Sequence, residues 1–285
     1  MIRIIDRDVY EGKFADAYDV VLRDLGHGHK EASINRSVAW EHVATMSDQA
    51  YAMYLENLAK QSPEELAEKE ASHRERAARR AKTKVRRICK SMGVDALLTL
   101  TYRENMQDLE QCKKHMKEFV RRVRKLVPGF AYVAAFEPQK RGAWHVHMAI
   151  HALPFNLPWT GVKVKSYSVI RAIWRSVVGD LGGNIDQSRK KRHSRKTSGQ
   201  IASYISKYIL KAFEDGEAHT NRYSSSSYSL PDAVRMNFVR GSLSDLISLV
   251  YLHMGQDGTI TNPWLSAFGD RFFLSSEPDP GELKH

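Results

Sequence analysis

The stretch GAWHVHMAIH (142–151) sets His145 and His147 one residue apart around an apolar valine. On a strand, side chains alternate between faces, so the two imidazoles project together while Val146 points the other way. Such a pair presents two nitrogen ligands to one metal ion, and a pair of purely structural histidines is the plain alternative. Glu137 ends the preceding apolar run FAYVAAFE (130–137), and a turn at PQKRGA (138–143) folds that run back against the histidines. The resulting hairpin brings one carboxylate and two imidazoles onto a single sheet face. That donor set holds a divalent ion and leaves coordination positions open for substrate. A shorter turn makes Gln139 the third donor instead. His151 shares the face but lies further along, as surface or outer support. A second pair, His27 and His29 in LGHGHKE, has a glycine spacer and a loop context and carries no such expectation.

A second group of reactive residues lies downstream. SYISKYILKAF repeats Tyr-x-x-Lys, pairing Tyr204 with Lys207 and Tyr208 with Lys211. At roughly 100° per helical residue, all four fall within one arc, while Ala202, Ile205, Ile209 and Phe213 lean the other way. The apolar side can dock on a sheet and leave a tyrosine–lysine face; an amphipathic surface helix is the competing reading. A phenol of pKa about 10 is a poor nucleophile unless its oxyanion is stabilised. Lysine ammonium groups and a nearby metal supply that stabilisation. Attack on a DNA phosphodiester leaves a phosphotyrosine bond and a free 3′ hydroxyl, so the strand can later be rejoined without another energy source.

Positioning these groups requires a particular order of elements. VDALLTLTYREN (94–105) has a buried-strand pattern. Residues 107–127 place Leu109, Cys112, Met116, Phe119, Val120, Val123 and Leu126 at helical intervals before Pro128-Gly129. Strands over 130–137 and from Trp144 follow. A helix at 166–181, a short strand or extended loop at 182–188 and a helix at 199–213 complete the series. This order, with its central hairpin, implies an α+β sandwich with an antiparallel sheet and flanking helices. Residues 1–93 read as a mostly helical region, with Ser62 as N-cap and Pro63 at the first position of a long helix. After 214, NRYSSSSYSLP reads as polar loop, LSDLISLVYLHM as helix or strand, and SSEPDPGELKH as a disordered tail. The expected division is 1–93, 94–214 and 215–285.

The chain of 285 residues carries a formal charge of +11. Much of that charge lies in HRERAARRAKTKVRRICK (73–90), RRVRK (121–125) and SRKKRHSRK (188–196). Basic clusters of this kind attract polyanions, nucleic acid foremost. Arg79, Arg80, Arg86 and Arg87 in the first block, and Arg189, Lys190, Lys191 and Arg192 in the third, are the candidate DNA contacts. For the first block a solvated helix face is the alternative. No apolar run reaches the roughly 18 residues of a membrane span, and the N-terminus has no signal-peptide core. Cys89 and Cys112 are the only cysteines, too few for a disulfide framework or a cysteine zinc site, which fits a reducing cytoplasm.

LLTLTY (97–102), the His145-Val146-His147 strand and YISKYILK (204–211) resemble, in order, the three motifs of the HUH endonucleases that initiate rolling-circle replication. The doubled tyrosine is similar to the two-tyrosine subgroup, the gene A type proteins of single-stranded DNA phages and related plasmid initiators. The resemblance spans about residues 94–214 and implies an HUH nuclease core, RRM-like in fold. It implies that His145, His147 and Glu137 ligate Mg²⁺ or Mn²⁺, that Tyr204 and Tyr208 are nucleophiles, and that Lys207 and Lys211 support the charge. Thr99 and Thr101 would approach the metal site or DNA, or simply pack. The implied activity is site-specific nicking and strand transfer on single-stranded DNA at a replication origin, at a hairpin or nick site. No G-x-x-x-x-G-K-[ST] stretch is present, so unwinding falls to a host or separate helicase. Conjugative relaxases usually carry the tyrosine before the histidine pair, and the order here is the reverse. A transposase using the same nuclease domain and a non-catalytic DNA-binding regulator are the competing functions.

Overall fold

The computed structural model describes all residues except 160, 190–197, 215–222, 256–258 and 279–285, together with the side chains of 189 and 210–214. The chain begins with β1 (Ile2–Ile5), β2 (Asp8–Asp24) and β3 (Lys30–Thr45), then α1 (Asp48–Ala59) and α2 (Pro63–Ser91). Next come β4 (Ala96–Tyr102), α3 (Leu109–Leu126), β5 (Ala131–Pro138), β6 (Trp144–His151), β7 (Asn156–Trp159), β8 (Val162–Lys165) and α4 (Ser166–Val178). A short 3₁₀ turn (Gly179–Leu181) leads to β9 (Gly183–Arg189), α5 (Ser198–Glu214) and β10 (Tyr223–Ser225). The chain closes with β11 (Val234–Val239), α6 (Leu243–Met254), β12 (Thr259–Leu265) and β13 (Arg271–Glu277). Two compact units result: Met1–His73 with Pro231–His285, and Arg74–Leu230.

The first unit corrects the helical expectation for residues 1–93. Only 48–59 and 63–91 are helical, and residues 2–45 form an antiparallel ribbon of β1, β2 and β3. Its turn is the LGHGH segment, where Gly26, His27 and Gly28 all adopt positive φ, so this histidine pair belongs to a hairpin turn. The alternating pattern is hard to read because the outer half of the ribbon lacks a buried face, residues 41–45 all being exposed. Nor is 215–285 a separate extension. β11 pairs with β2 and β13 with β3, giving a sheet in the order β1-β2-β3-β13-β12 with β11 alongside β2. Leu246, Val250 and Met254 of α6 pack with Val20, Ile34, Phe272 and Leu274 of the sheet. Residue 243 onward is therefore helix, and 275–277 of the expected tail end β13.

In the second unit, an antiparallel sheet in the order β10-β5-β6-β4-β9 lies between helices, in keeping with the α+β expectation. Strict alternation divides it into two faces. Leu98, Leu100, Tyr102, Phe136, Val146, Met148 and Ile150 are buried with α3 and α4 in one core. Val133, Ala135 and Ala149 face the end of α2 and the helix α5 in another. The elements begin where local chemistry dictates. Ser62 and Glu65 form a reciprocal capping box at the start of α2, each backbone N–H bonding to the other's side chain at 3.0 and 3.2 Å. The side chain of Asp108 caps α3 by accepting from Gln111 N. Cys112, Met116, Phe119, Val120 and Val123 of α3 are all buried, as their spacing requires. Trp174 of α4, fully buried, donates from Nε1 to the Thr101 carbonyl at 2.9 Å and meets Phe119 edge-on. The polar segment expected as loop at 222–227 contributes the edge strand β10 against β5.

Phe119 is the centre of the α3–α4 face, so Phe119→Ala is expected to cost about 3–5 kcal/mol. Urea unfolding followed by tryptophan fluorescence checks this; a loss below 1 kcal/mol, on the order of a surface change, would contradict the packing.

Candidate active site

The site forms on the sheet face that α5 covers. β5 and β6 pair in a register that sets Glu137 opposite His145 and Ala135 opposite His147. β4 lies on the other side of β6, with Thr99 opposite His147. The tight reversal between β5 and β6 is held by Gln139 N donating to the Ala143 carbonyl at 2.9 Å and by Gly142 at φ +88°. Only glycine adopts that backbone without strain. Because Val146 and Met148 are locked into the opposite core, His145 and His147 have to face α5.

His147 is nearly buried and touches three groups. Its Nε2 lies 2.8 Å from a Glu137 carboxylate oxygen, and its Nδ1 lies 3.3 Å from the Thr99 hydroxyl. Its ring stacks on that of Tyr208, centroids 3.8 Å apart and planes 14° from parallel. Tyr208 in turn shares a 2.7 Å hydrogen bond between hydroxyls with Tyr204, whose ring meets it edge-on. The two tyrosines, one helical turn apart on α5, therefore end at one point above the histidine strand. Ile201, Ala202, Ile205 and Ile209 anchor the opposite side of α5 in the core.

Electrostatics differ across the group. Burial pushes the Tyr208 phenol above its ordinary value, and the Tyr204 hydroxyl and the Glu137 charge add to the shift. Burial lowers the His145 imidazole, with His147 and Arg141 pressing the same way and Glu137 opposing. The side-chain amide of Gln139 stands 3.2 Å from His145 Nδ1. Thus Glu137 meets His147 while Gln139 meets His145, and both candidate third donors are at the site.

The donor chemistry suits a hard or borderline divalent ion, one carboxylate with two imidazoles. As placed, however, Glu137 occupies the Nε2 of His147. Among the described residues no group of three or more histidine, cysteine, aspartate or glutamate side chains stands as a preformed metal cluster.

The remaining candidates fall elsewhere. Lys207 is exposed on α5, and the side chain of Lys211 lies outside the described residues. Arg79 and Arg80 are exposed on α2, Arg79 bonded to Glu75, whereas Arg86 and Arg87 are half-buried. Arg189 ends β9 with its side chain outside the described residues, as are Lys190, Lys191 and Arg192. His151 bonds the Gly93 carbonyl at 2.9 Å, at the far end of β6. Cys89 and Cys112 are both buried thiols. Sequence reasoning missed Arg141, whose guanidinium donates to the carbonyl oxygens of Tyr102 and Arg103 at 3.0 and 3.3 Å. A lone arginine in a turn carries no motif that would single it out.

A model of the family described as Replication-associated protein ORF2/gene II protein matches residues 95–213, less than half of the chain. The match supports a replication-initiator family and a role in replication initiation for this segment. It covers the histidine strand and both tyrosines. No curated protein and no solved structure matches the chain. No helix among the described residues is long and apolar enough to cross a membrane.

His145 is expected to titrate below its ordinary value of 6.5 in the folded protein, and Arg141→Gln to raise that value by removing a cation. With the folded value depressed, the associated stability is present above the unfolded pKa and is lost as pH falls through the folded one. Imidazole proton shifts followed by NMR against pH check both signs; a His145 value above 6.5 would contradict the environment described.

Proposed function

We propose that residues 94–214 form a metal-dependent single-strand DNA endonuclease and strand transferase that initiates rolling-circle replication. One observation carries the reading. The tyrosine helix and the His-x-His strand converge, with Tyr208 stacked 3.8 Å from His147 and hydrogen-bonded to Tyr204. A structural role alone gives no reason for two phenols, two imidazoles and a carboxylate to meet on one face, half exposed at the edge of a core.

In the step proposed, a tyrosine Oη attacks the phosphorus of the scissile phosphodiester. The Oη–P bond forms and the P–O3′ bond breaks, leaving a 5′-phosphotyrosine ester; net, the phenolic proton ends on the released 3′ oxygen. The reverse attack by a 3′ hydroxyl reseals a strand and frees the tyrosine. The hydrogen bond between Tyr204 and Tyr208 serves this chemistry, since a neighbouring hydroxyl stabilises the phenolate as it forms. Lys207 lies on the same exposed side of α5 and adds positive charge toward the phosphate. Glu137, His145 and His147 would hold Mg²⁺ or Mn²⁺, with Gln139 able to take the third position. Such an ion supplies Lewis-acid polarisation of the scissile phosphate. Unwinding is left to a host or separate helicase. The partner DNA is the single-stranded origin, and the setting proposed is the cytoplasm.

The test is covalent capture. The full chain with Mn²⁺ and a pool of random single-stranded oligonucleotides is expected to give a DNA-linked band on a denaturing gel. Tyr204→Phe with Tyr208→Phe should abolish the band, and His145→Ala should reduce it at least about a hundredfold, the scale of losing a metal ligand or its support. A double phenylalanine variant that still forms the adduct would overturn the mechanism. Tight DNA binding without any adduct in the unmodified chain would favour the non-catalytic regulator.

A further inference from the structure

The same end of the sheet carries a cleft that the nuclease reading does not use. It opens where β4 ends and β9 begins, beside the C-terminal end of α4, and has a volume of about 740 Å³. Thr101, Arg103, Arg175, Asp180, Gly182 and Asn184 line it. We propose that this cleft holds one nucleotide of the DNA strand next to the reacting phosphate. The nucleotide's phosphate lies on Arg103 and Arg175 and its base edge lies against Asp180 and Asn184.

Three features argue for it. The first is the pair of guanidinium forks. Arg175 Nε donates to the Gly183 carbonyl at 3.0 Å, and Arg103 Nε meets the exposed Glu104 at 3.3 Å. Among the described residues those are the side-chain bonds each makes, so both terminal nitrogens of each fork face a ligand. Planar forks of this kind match phosphate oxygens two at a time. The fork of Arg103 is seated by Gly182. That residue adopts φ +58°, and an added Cβ would lie 3.1 Å from Arg103 Nε and 3.2 Å from its Cζ. A side chain here would both strain the backbone and lift the arginine away.

The second feature is what accompanies the cations. A carboxylate in the cleft opposes a simple multivalent anion. Asp180 accepts from exocyclic amino groups, and Asn184 offers both a donor and an acceptor to a base edge. Phosphate contacts hold register while base contacts specify sequence, and the cleft has side chains for each. Its volume falls in the range that holds a small ligand, roughly 300–1,000 Å³.

The third feature is continuity with the candidate active site. Thr101 lines the cleft and lies on the same face of β4 as Thr99, whose hydroxyl meets His147. At about 3.3 Å per residue, their Cα atoms lie about 7 Å apart. Thr101 also bonds the Asn184 carbonyl at 3.1 Å across to β9. Arg141, which acts on His145, bonds the backbone at Tyr102 and Arg103. A strand lying over the tyrosines therefore meets the cleft as it leaves the sheet.

The placement of DNA rests on the nuclease reading, and the experiment separates the two. Oligonucleotides captured covalently from the random single-stranded pool are sequenced for the unmodified chain, Asp180→Ala, Asn184→Ala and Arg103→Gln. Binding of one captured sequence is measured in parallel by fluorescence anisotropy over a salt series, or of a pool member if none is captured. Asp180→Ala and Asn184→Ala are expected to flatten base preference about tenfold at one shared position near the joined phosphate. Arg103→Gln is expected to weaken binding of all sequences alike and to lower the salt slope by about one. Capture by the unmodified chain with preference and salt slope unchanged in all three variants overturns the cleft and leaves the nuclease reading standing. If the unmodified chain captures nothing, the nuclease reading fails. In that case a reduced salt slope in Arg103→Gln still supports a nucleotide in the cleft, and an unchanged slope overturns it.

Discussion

The period-two geometry of β6 is the constraint on which the rest of the second unit depends. Val146, Met148 and Ile150 are fully buried against α3 and α4, so the strand cannot rotate or slip. His145 and His147 are thereby held on the opposite face, where α5 covers the sheet. The same alternation in β4 and β5 delivers Thr99 and Glu137 to that face. Apolar burial on one side thus fixes polar geometry on the other, and the site needs no scaffold of its own.

Within the site, short-range contacts set distinct environments for groups of the same type. His147 is enclosed between Glu137, Thr99 and the ring of Tyr208, whereas His145 sits nearer the turn beside Gln139 and Arg141. The two tyrosines differ as well: Tyr208 is packed on the imidazole, and Tyr204 is 42% exposed. A shared proton position between their hydroxyls links the two, so the charge on either depends on the state of the other. Near-identical residues are thereby prepared for unequal tasks.

Much of this was legible in the residues themselves. The helical spacing of Cys112, Met116, Phe119 and Val123, the alternation around His145 and the opposed faces of α5 are local patterns with single physical solutions. The hairpin between Glu137 and His145 followed from its turn residues. The long ribbon of β2 and β3 was not legible. Its outer half buries no continuous face, and its inner half takes its partners, β11 and β13, from the other end of the sequence. A pattern that is completed by residues some two hundred positions away leaves little trace locally. The cleft beside β9 was hidden for a related reason, because Arg103, Arg175 and Gly182 belong to three different segments and form no motif together.

The way β6 is pinned at both ends has a consequence for how the sequence can vary over evolutionary time. At one end stands the Gln139–Ala143 reversal with its positive-φ glycine, and at the other His151 bound to the Gly93 carbonyl. Substitutions along the strand act one side chain at a time. Gain or loss of a single residue between these anchors instead exchanges the two faces, turning imidazoles into the core and valine and methionine toward α5. Lineages descending from such a chain can therefore diverge widely in residue identity here while keeping the segment at constant length, with indels confined to the connecting loops.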